Sequence, residues 1–120
     1  MACVSAHIEL GRAGENAAAA FYRRRGYRVV DRNYRCRSGE IDLVVRRGRL
    51  LVFCEVKTRT SQRWGAPAEA VGALKQNRLR RSAGTWLAEH SGSGRELRFD
   101  VVSVAVTQGG LEVTHLPGAF

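Results

Sequence analysis

Three residues in the middle of this sequence have the types and spacing of a hydrolytic centre. Asp42 lies on one short apolar stretch, and Glu55 and Lys57 lie on the next. Carboxylates held together repel, since unit charges ~4 Å apart interact by roughly 4 kcal/mol at an effective dielectric near 20. Acids gathered on a sheet therefore take up a cation or keep some of their protons. Hard oxygen donors with room for water suit Mg²⁺ or Mn²⁺, and such an ion activates water and stabilises charge on a phosphoryl oxygen. A neighbouring lysine would orient or deprotonate the nucleophile, or neutralise the transition state. The base role requires its pKa to fall far below the reference of ~10.4. Composition points to the same lysine: of 20 Lys plus Arg, only Lys57 and Lys75 are Lys. In a chain so biased toward Arg, a retained Lys suggests a need for a compact ammonium whose pKa can shift.

The elements around these residues must bring them together. Glu40–Arg46 and Arg49–Thr58 are rich in Ile, Leu and Val and read as two strands, with Arg47-Gly48 as a tight turn. That turn sets Asp42 opposite Phe53 and Glu40 opposite Glu55. Glu40, Asp42, Phe53, Glu55 and Lys57 then share one face, while Ile41, Leu43, Val45, Leu50, Val52, Cys54 and Val56 form an apolar layer on the other. Asp42 and Glu55 become diagonal neighbours with backbones ~7–8 Å apart. A one-residue slip would scatter the charges and break the apolar layer. The alternative is a hairpin with solvated charges at a frayed end, which leaves the alignment of the acids on one face unexplained.

Farther out, Ser5 is the expected N-cap of an Ala-rich helix over Ala6–Arg25, with Leu10, Ala13, Ala17 and Phe21 as its apolar stripe and Gly26 as its stop. Tyr27–Asn33 reads as a first strand and Arg59–Gly65 as a basic loop. Pro67 suits the first turn of a second helix running to about Glu89. Leu97–Val106 and Leu111–Leu116 read as strands joined by a Gly109-Gly110 turn. The order α-β-β-β-α-β-β, with a helix between the third and fourth strands, permits a parallel crossover. This predicts an α/β fold with a mixed sheet flanked by helices.

The 120 residues make one domain, 1–120, with 117–120 as a short tail. A formal net charge of +9 favours polyanions, meaning nucleic acid or an anionic surface. Apolar runs such as Ala17–Tyr22 and Leu50–Cys54 are far shorter than the ~20 residues of a membrane span, and Glu9, Arg12 and Glu15 interrupt any leader-like stretch. Cys3, Cys36 and Cys54 form no C-x-x-C pair. Their odd number argues for a reducing cytoplasm and against a disulfide framework or structural zinc.

Gly39-Glu40-Ile41-Asp42-Leu43 followed by Val52-Phe53-Cys54-Glu55-Val56-Lys57-Thr58-Arg59 resembles the PD-(D/E)XK nuclease signature. More specifically, Gly11-x-x-Gly14-Glu15, Asn33-Tyr34-Arg35 and Arg98-Phe99-Asp100-Val101 resemble the bacterial YraN family, related in fold to archaeal Holliday-junction resolvases. The likeness spans nearly the whole chain, although Ile41 stands where the strict motif has Pro. It implies a restriction-endonuclease-like core, Mg²⁺ and phosphodiester hydrolysis. It assigns metal ligation to Asp42 and Glu55, with the backbone carbonyl of Val56 nearby, and matches Lys57 to the motif lysine. It also matches Glu15 to an acid that related resolvases carry on the first helix.

Glu15 shares a helical face with Ala18, Ala19 and Tyr22. A face so small lets the helix lie close to the sheet with Glu15 toward the ion or its waters; the alternative is a solvent-facing acid. Lys75 falls within the apolar stripe of the second helix with Val71, Leu79, Ser82 and Trp86. It either reaches a phosphate or snorkels from the core edge. Arg59 and Arg63 would bind phosphates while Trp64 stacks on a base, or packs on the helix, and Arg35 joins the wider footprint. The expected activity is a Mg²⁺-dependent nuclease on DNA, including branched or damaged forms. A homodimer is favoured, because paired incisions need a second site. The competing readings are a nuclease-like module that binds nucleic acid with little catalysis, and a protein-interaction adaptor.

Overall fold

The computed structural model describes residues 2–60, 72–90 and 95–120. Helix α1 spans Ala2–Arg24, strands β1, β2 and β3 span Arg28–Cys36, Gly39–Arg47 and Leu50–Arg59, helix α2 spans Ala73–Glu89, and β4 and β5 span Glu96–Thr107 and Gly110–Leu116. The strands form one sheet in the order β1-β2-β3-β4-β5. All neighbours are antiparallel except β3 and β4, which run parallel with α2 between them in sequence. The α/β class, the element order and the mixed sheet are as the sequence predicts. None of the described helices is long and apolar enough to cross a membrane.

Two apolar layers sandwich the sheet. On one face Ala18, Ala19 and Tyr22 of α1 pack on Leu43, Val45, Val52, Cys54, Val102 and Val104. On the other, Leu79, Ala83 and Trp86 of α2 pack on Ile41, Val44, Leu51 and Phe53. Strand β3 is covered on both sides, which is why it reads as a near-continuous apolar run.

Several local expectations are corrected. Ser5 lies inside α1, which starts at Ala2, so it does not cap that helix. The face of α1 that meets the sheet carries Gly14, Ala18 and Tyr22; of the expected stripe, Phe21 is buried in the same layer and Ala17 packs against it, while Leu10 and Ala13 are only partly buried. Small residues win this face because backbone proximity outweighs side-chain bulk. A Cβ on Gly14 would fall inside the Thr58 side chain at the end of β3. Helix α2 starts after an extended Gly72, so Pro67 is not in its first turn; 61–71 lie outside the described residues. The β4–β5 turn is Gln108-Gly109, since Thr107 already pairs with Gly110. Gly26, at φ 86°, does end α1, and the Tyr27 N–H returns to the Tyr22 carbonyl.

A buried acid ties the far side together. Asp100, fully buried on β4, receives the Tyr22 hydroxyl at 2.7 Å, the Arg98 guanidinium at 2.8 and 2.9 Å and the Gly118 N–H at 3.0 Å, and His115 Nε2 lies 2.7 Å away. Burial pushes its carboxyl up, but these partners outweigh that and hold it below the usual range. Burial, with Cys54 and Asp100 beside it, pushes the Tyr22 hydroxyl up.

Gly14→Ala is expected to destabilise the fold by about 1–3 kcal/mol through overpacking. Thr58→Ala in the same chain should recover much of the loss, measured by denaturant unfolding; simple additivity would count against this close approach. Asp100→Ala should cost about 3–5 kcal/mol, because it strands buried polar partners.

Candidate active site

The hairpin that carries the acids turns at Gly48-Arg49, one residue later than expected, with Gly48 at φ 60°. Arg47 therefore pairs with Leu50, and the ladder continues through Val44–Phe53 to Leu43–Cys54. The ladder ends there, one residue short of Asp42, which is not opposite Phe53 because Val44 is. At this point the Val56 N–H donates to Asp42 Oδ2 at 2.8 Å, so an acid side chain takes over from the backbone ladder. The later turn moves the pairing by two residues and leaves the face of Glu55 and Lys57 unchanged. Alternation breaks between Ile41 and Leu43, however, so Asp42 is placed by its bond to the Val56 N–H rather than by the period. Ile41 packs in the α2 layer with Val44 and Phe53, not with Leu43 and Val45.

Glu55 is 7% exposed, and both lysines of the chain meet on it. Lys75 Nζ lies 2.5 Å from Glu55 Oε1, and Lys57 Nζ lies 3.5 Å from the same oxygen. Lys75 thus ends on the carboxylate, although its side chain stays 43% exposed along the way. Burial alone would lower the Lys75 pKa, but its contact with Glu55 outweighs this and the shift is upward. Burial, reinforced by the Lys75 ammonium, lowers that of Lys57 against the opposing pull of Glu55. One lysine is therefore held charged while the other is eased toward giving up its proton.

Asp42 moves the other way. Burial, followed by the negative charge of Glu55, pushes its carboxyl up to about 7, with smaller contributions from Glu15 and Glu40 and an opposing one from the Val56 N–H. The carboxyl is thus poised between its two protonation states near neutrality, as an acid short of a counter-cation would be.

That deficit is the observation that fits a divalent ion. Asp42 and Glu55 supply hard oxygen donors at adjacent positions, and the Val56 carbonyl is on the same strand segment. Among the described residues no three acidic, His or Cys side chains gather tightly enough to form a protein-only metal cage. A site built on two carboxylates leaves positions for water and phosphate, as Mg²⁺ prefers.

The remaining candidates lie around this pair. Glu15 Oε1 accepts the Asn33 amide at 2.9 Å and lies 3.7 Å from Arg32 Nη2, so its carboxylate is engaged between α1 and β1 and acts on Asp42 through charge. Asn33, at φ 52°, takes a left-handed conformation that Asn tolerates better than most residues. Asn33 opens the Asn33-Tyr34-Arg35 stretch that carries the family resemblance, but its hold on Glu15 spans two elements and is set by the fold. Arg35 pairs at 3.4 Å with Glu40 on the exposed edge. Arg59 is the last residue of β3, two beyond Lys57. Arg63 and Trp64 lie outside the described residues.

Residues 14–104 match the model of a family described as "Uncharacterised protein family UPF0102". A UPF0102 protein of Frankia casuarinae is 51% identical over 112 residues, covering 92% of this chain and 95% of the relative. One from Anaeromyxobacter dehalogenans is 50% identical over 111 residues, covering 92% and 83%. Another, from Geobacter metallireducens, is 43% identical over 111 residues, covering 92% and 91%.

The raised Asp42 carboxyl has a consequence for stability. Unfolded, it titrates near 3.8; folded, it titrates near 7. Between these values the folded chain keeps a proton that the unfolded chain has lost, so raising the pH destabilises the fold until the loss is complete above about 7. Asp42→Asn retains an acceptor for the Val56 N–H and cannot ionise. In metal-free buffer it should be more stable than the parent at high pH by about 2–4 kcal/mol, and equal to it near pH ~4. Parallel stability curves for the two proteins would contradict this assignment.

Proposed function

The chain belongs to the UPF0102 family, and we propose that it is a Mg²⁺- or Mn²⁺-dependent nuclease that hydrolyses phosphodiester bonds in DNA. The observation that carries this reading is Asp42, a half-buried carboxyl raised to about 7 beside a second carboxylate that holds two lysines. Fully satisfied structural acids do not behave in this way; Asp100, in the same sheet, lies below the usual range.

When bound, the divalent ion would activate water and offset charge on the phosphoryl oxygens. Asp42 and Glu55 would hold it, with the Val56 carbonyl as a further donor. Lys57 stands next to Glu55 with its pKa lowered, and would accept the proton of the attacking water or orient that water. Lys75, held cationic, would pair with a nonbridging oxygen of the scissile phosphate. The charge of +9 draws the polyanion in, with Arg59 just beyond the site on β3.

One observation favours a second reading, in which the protein binds nucleic acid without cutting it. Two ammoniums on one carboxylate oxygen already neutralise Glu55 and add a positive charge that would suit a phosphate.

Purified protein with Mn²⁺ should cleave at least one of linear, flap, single-stranded and four-way DNA substrates. Asp42→Ala and Lys57→Ala should each reduce the rate by at least ~100-fold, the scale of a general-base or metal-ligand loss. Salt-sensitive binding with no turnover on any substrate would favour the second reading. Turnover that survives both substitutions would defeat the first.

A further inference from the structure

Next to Glu55, between the start of β2 and the first turns of α2, lies a cleft of about 470 Å³. Its lining is chemically divided. Leu74 and Leu79 of α2 offer apolar surface, and Leu74 is 66% exposed. Lys75 and Arg78, one turn apart on the same helix, add two cations. Arg78 pairs with no acid among the described residues. Glu40 of β2, with one oxygen paired to Arg35 at 3.4 Å, supplies a carboxylate on the opposite side. Gly72, at the helix start, has no side chain with which to cap the polar N–H groups of the first turn.

A ligand matching this lining has an anionic group for Lys75 and Arg78, a flat apolar face for Leu74, and hydrogen-bond donors on one edge for Glu40. A nucleotide has all three. In an intact duplex the base faces are stacked on one another, so no face is free to lie on Leu74, even though the amino groups of adenine and cytosine still show one N–H in the major groove. Only a nucleotide outside the duplex can present a free base face together with its phosphate and an amino donor.

We propose that this cleft receives one unpaired nucleotide adjacent to the bond that is cut, making DNA with a single-stranded end or flap the substrate class. The proposal rests on the nuclease reading above. The phosphate sits at Lys75 and Arg78, the base lies on Leu74, and a base carrying an amino group, such as cytosine or adenine, is favoured by Glu40.

The test uses the full chain and matched substrates of one sequence: a 5′ flap, a 3′ overhang and a blunt duplex. With Mn²⁺, the substrates bearing unpaired nucleotides should be cut at least ~10-fold faster than the blunt duplex, the scale of one base stacked on a protein surface. Leu74→Ala and Leu74→Glu change a mostly exposed side chain, and circular dichroism will report whether the fold is kept. Each should shrink the flap-to-duplex ratio by at least ~5-fold. In a second arm, in EDTA, labelled oligo-dC and a blunt duplex of equal length are titrated by fluorescence anisotropy. Both substitutions should lower the ratio of single-strand to duplex affinity. Equal cutting of all three substrates, or ratios unmoved by the Leu74 variants, overturns the proposal while leaving the nuclease reading intact. If the parent cuts nothing, the nuclease reading fails. The EDTA arm then still decides whether the cleft takes an unpaired nucleotide, because its ratio must fall in both variants or the proposal falls too.

Discussion

Two carboxylates are set side by side by a hairpin that has no latitude to part them. The β2–β3 ladder must place Leu43, Val45, Val52 and Cys54 against α1, and Val44, Leu51 and Phe53 against α2. A one-residue slip would turn both layers inside out, so the apolar cores on the two faces hold the register. The register that satisfies them leaves Asp42 just past the end of the ladder, bonded by the Val56 N–H and within reach of the charge of Glu55. Like charges close together on neighbouring strands are unfavourable, and the molecule answers locally. Asp42 keeps its proton to about pH 7, the Val56 N–H bonds its Oδ2, and Lys57 and Lys75 converge on Glu55. The cost of this arrangement is borne by the hydrophobic layers around it.

Asp100 shows what an acid looks like when the surrounding structure satisfies it. Tyr22, Arg98, His115 and the Gly118 N–H surround it, and its carboxyl is held below the usual range despite complete burial. It joins α1, β4, β5 and the C-terminal residues. Asp42, one strand pair away, has one backbone donor and acidic neighbours, and is displaced in the opposite direction. Burial acts on both; the balance of donors against like charges decides the sign. That contrast separates an acid used for cohesion from one left ready for a cation.

Reading the chain residue by residue succeeded wherever a short-range pattern carries the information. Alternation along Leu50–Arg59 was enough to put Glu55 and Lys57 on a common face, even with the turn expected one residue earlier. The displaced turn moves the pairing by two, and a period of two is blind to it. The break between Ile41 and Leu43, by contrast, left Asp42 to the tertiary structure. The scarcity of lysine in an Arg-rich chain marked Lys57 and Lys75, and both stand on Glu55. Helix limits were less legible. Ser5 and Pro67 have the chemistry of helix starts, yet α1 begins before the one and α2 well after the other. Capping preference is a local term of about 1 kcal/mol, and packing of a whole helix outweighs it.

The amino-acid order by itself determined the sequence of elements, the central apolar strand, the shared face of Glu55 and Lys57 and the two lysines worth following. The tertiary structure decided the rest. It brought Lys75 from α2 onto Glu55, engaged Glu15 with Asn33, moved Ile41 into the α2 layer and surrounded Asp100 with partners from distant segments. The reason is one of range. Periodicity is set by backbone geometry over a few neighbouring residues. Which side chains meet across layers depends on how closely helices and sheet can approach, and at Gly14 against Thr58 that distance is fixed by the absence of a single Cβ.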